Sequence, residues 1–346
     1  MKLLVTGGSG LIGSNVVREA VALGYDVRAL LRPTSSAAAI EGIAAERFVG
    51  DVLDIGSLHV AAANCDAIIH TAAIFAYGGF TGAQLHDVAV IGTRNVIDAA
   101  AAAGVRRVVV TSSSVVCGSS TDPVPRDETC RADNGEKSPY VIAKIEQEGA
   151  AFAHGLERSV EVMACCPTLT IGGYDHRLSP SNAVIVMFLR DVLRLTYPGG
   201  CNIASVSDVA RGHLLLLERG SSGLRYIVGG ENLTWTDLHR RIAALCGVSG
   251  PYFATGRTGA YLAAAANEMI GLVARRAPLT TRVQARMVGR YYWYSHARAA
   301  ALGYAPRSGA QALAEAIAWL VTSPHISREL RATLTLSRDV YRARLT

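Results

Sequence analysis

A glycine-rich segment near the N-terminus constrains the fold of this chain more than any other feature. Gly7, Gly10 and Gly13 separate a short apolar run at residues 3–5 from a helical pattern at residues 11–23. Glycines at this spacing permit a tight turn, a close approach of the backbone to a pyrophosphate, and close packing of helix on strand. The free N–H groups at the start of the helix then favour an anion. The segment therefore predicts a dinucleotide-binding loop between the first strand and the first helix.

Apolar runs alternate with helical patterns over the first 165 residues. Such alternation predicts an α/β fold with a doubly wound parallel sheet of the Rossmann type. The pattern then loosens, which predicts a smaller C-terminal α/β lobe for the substrate, partly interleaved with the first domain. We expect an NADP-binding Rossmann domain at 1–165, the substrate lobe at 166–325 and an exposed helical tail at 326–346. The predicted strands after the first cover residues 26–31, 47–49, 67–70, 107–111 and 160–164.

Composition and charge exclude several classes of protein. Half of the 346 residues are hydrophobic and 18% are charged, so the chain can bury a large core and is not intrinsically disordered. The net charge is +6, but basic residues occur at most in pairs, so no nucleic-acid partner is expected. No apolar run reaches about 18 residues, so no membrane-spanning segment is expected. The seven cysteines form no C-x-x-C pair, which predicts a cytoplasmic protein without a metal site.

The end of the second predicted strand bears on the choice between NAD and NADP. An acidic residue there binds the ribose 2′-hydroxyl of NAD, whereas this chain has Arg32 at that position. A guanidinium binds a 2′-phosphate through two hydrogen bonds, so Arg32 favours NADP. NAD stays possible if the Arg32 side chain simply faces solvent. Asp51 and Val52 follow the third predicted strand, where they can contact the adenine.

Tyr140 and Lys144 form a candidate catalytic pair. They lie four residues apart on a predicted helix and therefore share one face. A nearby ammonium stabilises a phenolate and lowers the pKa of the tyrosine, which can then act as an acid or a base near neutral pH. Hydroxyl side chains at residues 111–114 end the fifth predicted strand, at the edge where such sheets bind ligands. A hydroxyl there can donate to a substrate oxygen.

These motifs occur together in a known family. The chain resembles the extended short-chain dehydrogenases/reductases of the NAD-dependent epimerase/dehydratase family over about residues 1–320. The resemblance rests on the glycine loop T-G-x-x-G-x-x-G, residues 70–73, residues 111–113 and the pair Tyr140-x-x-x-Lys144. It extends to the dihydroflavonol reductase-like branch, which includes hopanoid-associated sugar epimerases. The segments that resemble this branch are residues 92–96, 208–213 and 229–232.

The resemblance implies a role for each catalytic residue. Ser113 is then the hydroxyl donor, Tyr140 the proton donor, and Lys144 the partner that lowers the pKa of Tyr140 and holds the nicotinamide ribose. Arg32 falls at the branch's contact with the NADP phosphate. The family often dimerises, so a homodimer is expected. The residues expected to bind the cofactor are Gly7, Gly10, Leu11, Ile12, Gly13, Arg32, Asp51, Val52, Thr71, Ala72, Ala73, Lys144, Pro167 and Thr168.

The expected function is NADP(H)-dependent reduction of a carbonyl on a small, rather apolar or aromatic substrate. Two alternatives stay open: an NDP-sugar epimerase or dehydratase that uses the same residues with tightly held NAD, and a non-catalytic protein that senses NADP(H). Ala89 replaces an Asn that the family often carries, which removes that side chain from any proton relay. Residues 165–173 lack the Arg…Asn-Val-Tyr-Gly-Pro stretch of sugar-nucleotide epimerases, which favours the reductase.

Overall fold

A parallel sheet of seven strands forms the centre of the protein. The computed structural model describes residues 1–75, 79–133, 136, 138–273, 285 and 287–344. The strands, numbered in chain order, are β1 Lys2–Thr6, β2 Asp26–Leu31, β3 Glu46–Val49, β4 Ala67–His70, β5 Arg107–Thr111, β6 Glu161–Pro167 and β10 Arg225–Val228. They follow the order β3-β2-β1-β4-β5-β6-β10 across the sheet, and every pairing is parallel.

Helices cover both faces of this sheet, which explains why its central strands β1, β4 and β5 are almost entirely buried. Successive side chains of a strand point to opposite faces. In β1, Leu3 and Val5 pack in one core with α1 (Leu11–Ala22) and α7 (Val206–Arg219), whereas Leu4 packs in the core on the other face. This arrangement confirms the predicted doubly wound α/β fold. The helices on the Leu4 face are α2 Ile55–Ala62, α4 Gly92–Ala102 and α5 Pro139–Glu157.

The strand order reverses direction between β1 and β4, and this opens a crevice at the carboxyl edge of the sheet. From β1 the chain proceeds outwards to β2 and β3, then returns to β4 on the other side of β1. In open α/β sheets, such a switch point is where ligands bind. The short α3 (Gly82–His86) and a π-helical turn at Asp87–Ile91 follow β4 and lead into α4.

A second, smaller unit is built on strands from the later half of the chain. Its strand β9 (Gly200–Ser205) lies between β11 (Glu231–Thr234) and β13 (Tyr291–Tyr292), and β7 (Leu169–Ile171) also pairs with β9. A two-stranded ribbon, β8 (Leu195–Thr196) with β12 (Phe253–Ala254), lies beside it. Within the described ranges, no helix is long and apolar enough to cross a bilayer. Before the C-terminal tail, the described helices of this half other than α7 are α6 Pro180–Arg190, α8 Trp235–Cys246, α9 Arg257–Val273, α10 Ala297–Ala300 and α11 Gly309–Leu320.

The C-terminal tail is mostly exposed, but a few of its apolar residues are more buried than the sequence predicts. It forms two short helices, α12 (Arg328–Ala332) and α13 (Arg338–Ala343), and residues 345 and 346 lie outside the described part. Ile326 and Val340 are almost completely buried, and three leucines between them pack against the same core as α11. The expectation of an exposed tail therefore misses these few apolar side chains, which cover the second core, while most of the other described tail residues are exposed.

Candidate active site

The glycine loop follows β1 at the carboxyl edge of the sheet and packs against the segment after β4. Gly7 has φ +72°, a conformation that glycine adopts without strain. A Cβ on Gly13 would lie 2.2 Å from the Gly7 carbonyl oxygen, and one on Gly7 would lie 2.7 Å from the Ala72 nitrogen. Thr71 belongs to the same contact, since its hydroxyl donates to the Thr6 carbonyl at 2.7 Å. The backbone of the glycine loop forms a cradle between β1, α1 and the segment after β4. A larger residue at either glycine would therefore fill this backbone cradle.

The N-terminus of α1 opens onto the glycine loop and suits an anion. The helix begins at Leu11 after Gly10, and within the described structure no side chain caps its first N–H groups. Its first turn also carries no acidic residue. Free N–H groups and the helix dipole together favour a phosphate at this position. Ile12 lies in this first turn, and Ala73 follows Ala72 at the same edge of the sheet.

A second arginine, from the loop between β7 and α6, lies beside the turn after β2 that is predicted to bind the cofactor phosphate. Arg32 follows β2, is exposed, and its carbonyl accepts from the Ser35 backbone N–H at 2.9 Å. Arg177, from the loop between β7 and α6, donates to the Ser35 hydroxyl at 3.3 Å. That loop is held against α1, because the Arg18 guanidinium lies 3.4 Å from the centre of the Tyr174 ring. The guanidinium of Arg177, from the second unit, therefore lies beside the turn that begins at Arg32.

Asp51 and Val52 lie at the carboxyl end of β3, on the same edge of the sheet. The Asp51 carboxylate accepts from the Leu53 N–H at 3.0 Å, and the Val52 side chain is buried. The Asn95 side chain donates to the Val52 carbonyl at 2.9 Å, which ties the segment to α4. These contacts hold the two residues at the end of the crevice where the adenine is expected.

Ser113, Tyr140 and Lys144 come together at the ends of β5 and α5. Tyr140 lies in the first turn of α5, which Ser138 caps by accepting from the Val141 N–H at 3.3 Å. Ser113 follows β5, and its side chain is hydrogen-bonded to Tyr140. Lys144 lies one turn further along α5. All three candidate catalytic side chains are more than nine-tenths buried, at 9%, 6% and 3% exposure respectively.

Burial shifts the pKa values of the two titratable members of this group in opposite directions. It raises the pKa of Tyr140 to about 12, although the hydrogen bond with Ser113 lowers it. Burial lowers the pKa of Lys144 to about 8, against the raising effects of Cys166 and Glu148. The sequence predicts a lowered pKa for Tyr140, whereas the pKa in the structure is raised. The reason is that desolvation of the phenol outweighs the hydrogen bond with Ser113. At neutral pH, Tyr140 is therefore a phenol that can give up a proton, and Lys144 is mainly an ammonium.

The segment after β6 forms the other end of the crevice. Pro167 is the last residue of β6 and pairs with Val228 of β10. Thr168 follows, and its Oγ1 is buried without a hydrogen-bond partner among the described residues. Leaving a buried hydroxyl without a partner costs about 1–3 kcal/mol, so it marks a position where a polar group of a ligand is expected. A nicotinamide dinucleotide fits the residues present, with the glycine cradle at its pyrophosphate and this hydroxyl at its nicotinamide end.

Two polar residues near this site were missed in the sequence. Arg177 contacts Ser35, which lies 142 residues away in the chain. Gln147 accepts from the Lys144 ammonium at 2.8 Å and donates to Thr93 at 2.9 Å. The position of Gln147 three residues after Lys144 on a helix is the one signal that could have found it, since such residues are neighbours. No pattern in the sequence indicates the contact of Arg177.

Comparison with known proteins assigns the family. The model of the NAD dependent epimerase/dehydratase family matches residues 3–229. A putative dihydroflavonol 4-reductase from Synechocystis is 30% identical over 94% of this chain and 96% of its own length. Cinnamoyl-CoA reductase 1 from Oryza sativa is 36% identical over 70% of this chain and 75% of its own length. The crystal structure of gox2253 superposes with a TM-score of 0.82, at 31% identity, over 94% of this chain and 99% of that one.

The chain therefore belongs to the NAD dependent epimerase/dehydratase family, which confirms the resemblance seen in its motifs. Family members of this type depend on a nicotinamide dinucleotide, and the similarity to proteins named as reductases makes this chain an oxidoreductase of the extended short-chain dehydrogenase/reductase type.

Replacing Gly13 with alanine should remove dinucleotide binding, because the added Cβ would overlap the Gly7 carbonyl. We expect the affinity for both NADPH and NADH to fall at least tenfold, or about 1.4 kcal/mol, in a fluorescence titration. The matched control is Gly149→Ala in α5, where a Cβ meets nothing within 4 Å. Circular dichroism should show that both variants are folded. Unchanged affinity in folded Gly13→Ala would contradict this location of the pyrophosphate.

Proposed function

We propose that this protein is an NADP(H)-dependent reductase of a carbonyl compound. The observation that carries the proposal is the buried group of Ser113, Tyr140 and Lys144 at the carboxyl edge of the sheet, in which Tyr140 is protonated at neutral pH. A protonated tyrosine is the form that reduction requires, because the product alcohol needs a proton on its oxygen. The relatives named as reductases support the same direction of reaction.

The three side chains have separate tasks in this mechanism. When bound, the reduced nicotinamide supplies a hydride to the carbonyl carbon. Ser113 donates a hydrogen bond to the carbonyl oxygen and stabilises the negative charge that develops there. Tyr140 delivers its phenolic proton to the same oxygen. Lys144, one turn along α5, provides positive charge that favours the resulting phenolate.

The proposed substrate is small and rather apolar or aromatic. The Phe75 ring lies 5.3 Å from the Tyr140 ring, centre to centre, and its side chain is 38% exposed. A partly exposed aromatic ring beside the proton donor offers an apolar contact to the group that carries the carbonyl. This supports an aromatic or aliphatic ketone rather than a strongly charged one.

The proposed preference for NADP over NAD rests on the two arginines near Ser35, Arg32 and Arg177. A 2′-phosphate carries nearly two negative charges, and guanidinium groups bind it through charge-assisted hydrogen bonds. Arg32 begins the turn and Arg177 contacts its serine, so both can reach a phosphate placed there.

An NAD-dependent epimerase acting on a nucleotide sugar is the second candidate, and the family description favours it. An NADP(H) sensor would not need the assembled Ser113, Tyr140 and Lys144.

Replacing Tyr140 with phenylalanine should abolish carbonyl reduction, because the variant has no proton to donate. We expect kcat to fall by at least about 100-fold, which is the lower range for loss of a general acid. The affinity for NADPH, measured by fluorescence titration, should stay within about twofold of the parent. The control is Tyr341→Phe, on the exposed side of α13, which should retain full activity. Near-normal turnover of the Tyr140→Phe variant would rule out its role as proton donor.

Replacing Arg177 with alanine should weaken NADPH binding without affecting NADH. We expect about a tenfold loss for NADPH, or about 1.4 kcal/mol, because one charge-assisted contact to the 2′-phosphate is removed. Arg32→Ala should behave in the same way. Arg328→Ala, an exposed arginine of α12, is the control and should change neither affinity. Equal losses for NADPH and NADH would place these arginines elsewhere on the dinucleotide.

A further inference from the structure

Gln147 connects the Lys144 ammonium to a buried chain of polar side chains behind the active site. Lys144 Nζ donates to the Thr111 carbonyl at 2.9 Å and to Gln147 Oε1 at 2.8 Å. The Gln147 amide nitrogen in turn donates to Thr93 Oγ1 at 2.9 Å. Lys144, Gln147 and Thr93 are each at most 3% exposed, so water cannot readily replace these partners.

The hydroxyl of Thr93 determines the orientation of this amide. A threonine hydroxyl has one proton and two lone pairs. Its proton goes to the Ala89 carbonyl at 2.6 Å, so the oxygen accepts from both of its other neighbours, Gln147 Nε2 and His70 Nε2, the latter at 3.1 Å. A flipped Gln147 would place its oxygen against Thr93, which has no proton left to donate. The Gln147 oxygen therefore faces Lys144.

This series of hydrogen-bonded side chains continues from Thr93 to His70 and ends at Thr6 in the protein interior. Burial lowers the pKa of His70 to about 3, so its ring is neutral and carries a single proton. That proton lies on Nε2 towards Thr93, and Nδ1 accepts from the Thr6 hydroxyl at 2.7 Å. The protons of the Thr93 and Thr6 hydroxyls and of the His70 ring are each used in a described hydrogen bond. Among the described residues, the series ends at the buried Thr6 rather than at solvent, so it holds Lys144 in place and offers no route for protons in place of a relay through an Asn at position 89.

We propose that Gln147 is a positioning residue that keeps Lys144 protonated and directed towards the catalytic site. Two of the three ammonium protons are held by fixed acceptors, the Thr111 carbonyl and the Gln147 amide oxygen. An acceptor stabilises the charged form of the lysine, in opposition to burial, which removes its hydration. Because Lys144 must carry its charge to favour the Tyr140 phenolate, the catalytic part of this inference rests on the proposed function.

The other titratable groups near Lys144 lie on three elements. Tyr140 and Glu148 belong to the same helix, Cys166 belongs to β6, and His70 belongs to β4. Cys166 and Glu148 favour the charged lysine when they are themselves ionised, while His70 is neutral. Burial raises the pKa of the Cys166 thiol well above its ordinary value, so it does not titrate in the same range as Lys144. Gln147 is an uncharged neighbour, so its effect on Lys144 can be measured by substitution without removing a charge.

The test is a direct titration of Lys144 by NMR with ¹³C-labelled lysine. The chain contains only three lysines, Lys2, Lys137 and Lys144, so three side-chain signals are expected and Lys→Arg variants assign them. In the parent protein, the Lys144 signal should titrate well below that of Lys2. In Gln147→Met, which keeps the side-chain length but loses the acceptor, its midpoint should fall by about one pH unit, a tenfold change in the acid dissociation constant.

Two further variants make the outcome decisive. Gln311→Met, which makes the same change in the capping box of α11, should leave the Lys144 midpoint unchanged. Gln147→Glu, which places a carboxylate beside the ammonium, should raise the midpoint instead, and it tests the proposal even if Gln147→Met folds poorly. A Lys144 midpoint that stays within about 0.2 pH units of the parent in both Gln147 variants would overturn the proposal.

The catalytic consequence is measured separately from this titration. With NADPH and a carbonyl substrate, the alkaline fall of kcat in Gln147→Met should begin about one pH unit lower than in the parent, while the KM for the carbonyl stays nearly constant. If the NMR midpoint moves and no carbonyl is reduced, then the proposed reductase function fails and the control of Lys144 by Gln147 stands. If the midpoint moves and the kcat profile of an active enzyme does not, then Gln147 does not position Lys144 for the reaction.

Discussion

The close contact between the glycine loop and the segment after β4 is the constraint on which the rest of the site depends. Only because Gly13 lies directly against the Gly7 carbonyl can α1 begin immediately behind the first strand. Its N–H groups then point into the crevice that the strand order opens between β1 and β4. Parallel pairing aligns the ends of β4, β5 and β6 at the same edge. Ser113, which follows β5, and Tyr140, to which it is hydrogen-bonded, therefore lie at the same edge of the sheet as the glycine loop.

Burial has two opposite consequences at this edge, and together they favour reduction. It keeps Tyr140 protonated by raising its pKa, and it makes the charge on Lys144 costly by lowering the lysine pKa. The protein compensates for the second effect with the nearby charge of Glu148 and with two fixed uncharged acceptors, since Lys144 donates to a backbone carbonyl and to Gln147. An uncharged acceptor holds the ammonium without neutralising it, so its charge stays available to the phenolate.

Local patterns predict most of the sheet, and contacts between distant residues account for what they miss. The predicted strands at 26–31, 67–70 and 107–111 have the observed bounds, because each is an apolar run between clear turn or helix signals. The predicted sixth strand ended at residue 164, whereas β6 continues to Pro167, since its pairing with β10 sets its length. The packing of the tail likewise depends on a core that joins α11 with residues as far back in the chain as Ile171.

The same distinction applies to the site. The glycine loop and the Tyr140–Lys144 spacing are local, so the sequence predicts their positions. Arg177 and the hydrogen bond between Gln147 and Thr93 depend on how separate elements pack, and no local pattern encodes them. The homodimer, the cytoplasmic location and the absence of a nucleic-acid partner stay predictions from sequence.

The measurement that tests the central claim most directly follows deuterium from NADPH labelled at the transferable position. The purified protein is incubated with this cofactor and a panel of aromatic and aliphatic ketones, and products are analysed by mass spectrometry. A reductase should place one deuterium on the carbinol carbon of the alcohol and release one equivalent of NADP⁺ per turnover. Conversion of nucleotide sugars with no net change in cofactor, and no deuterium in any alcohol, would contradict the account and identify an epimerase or dehydratase instead.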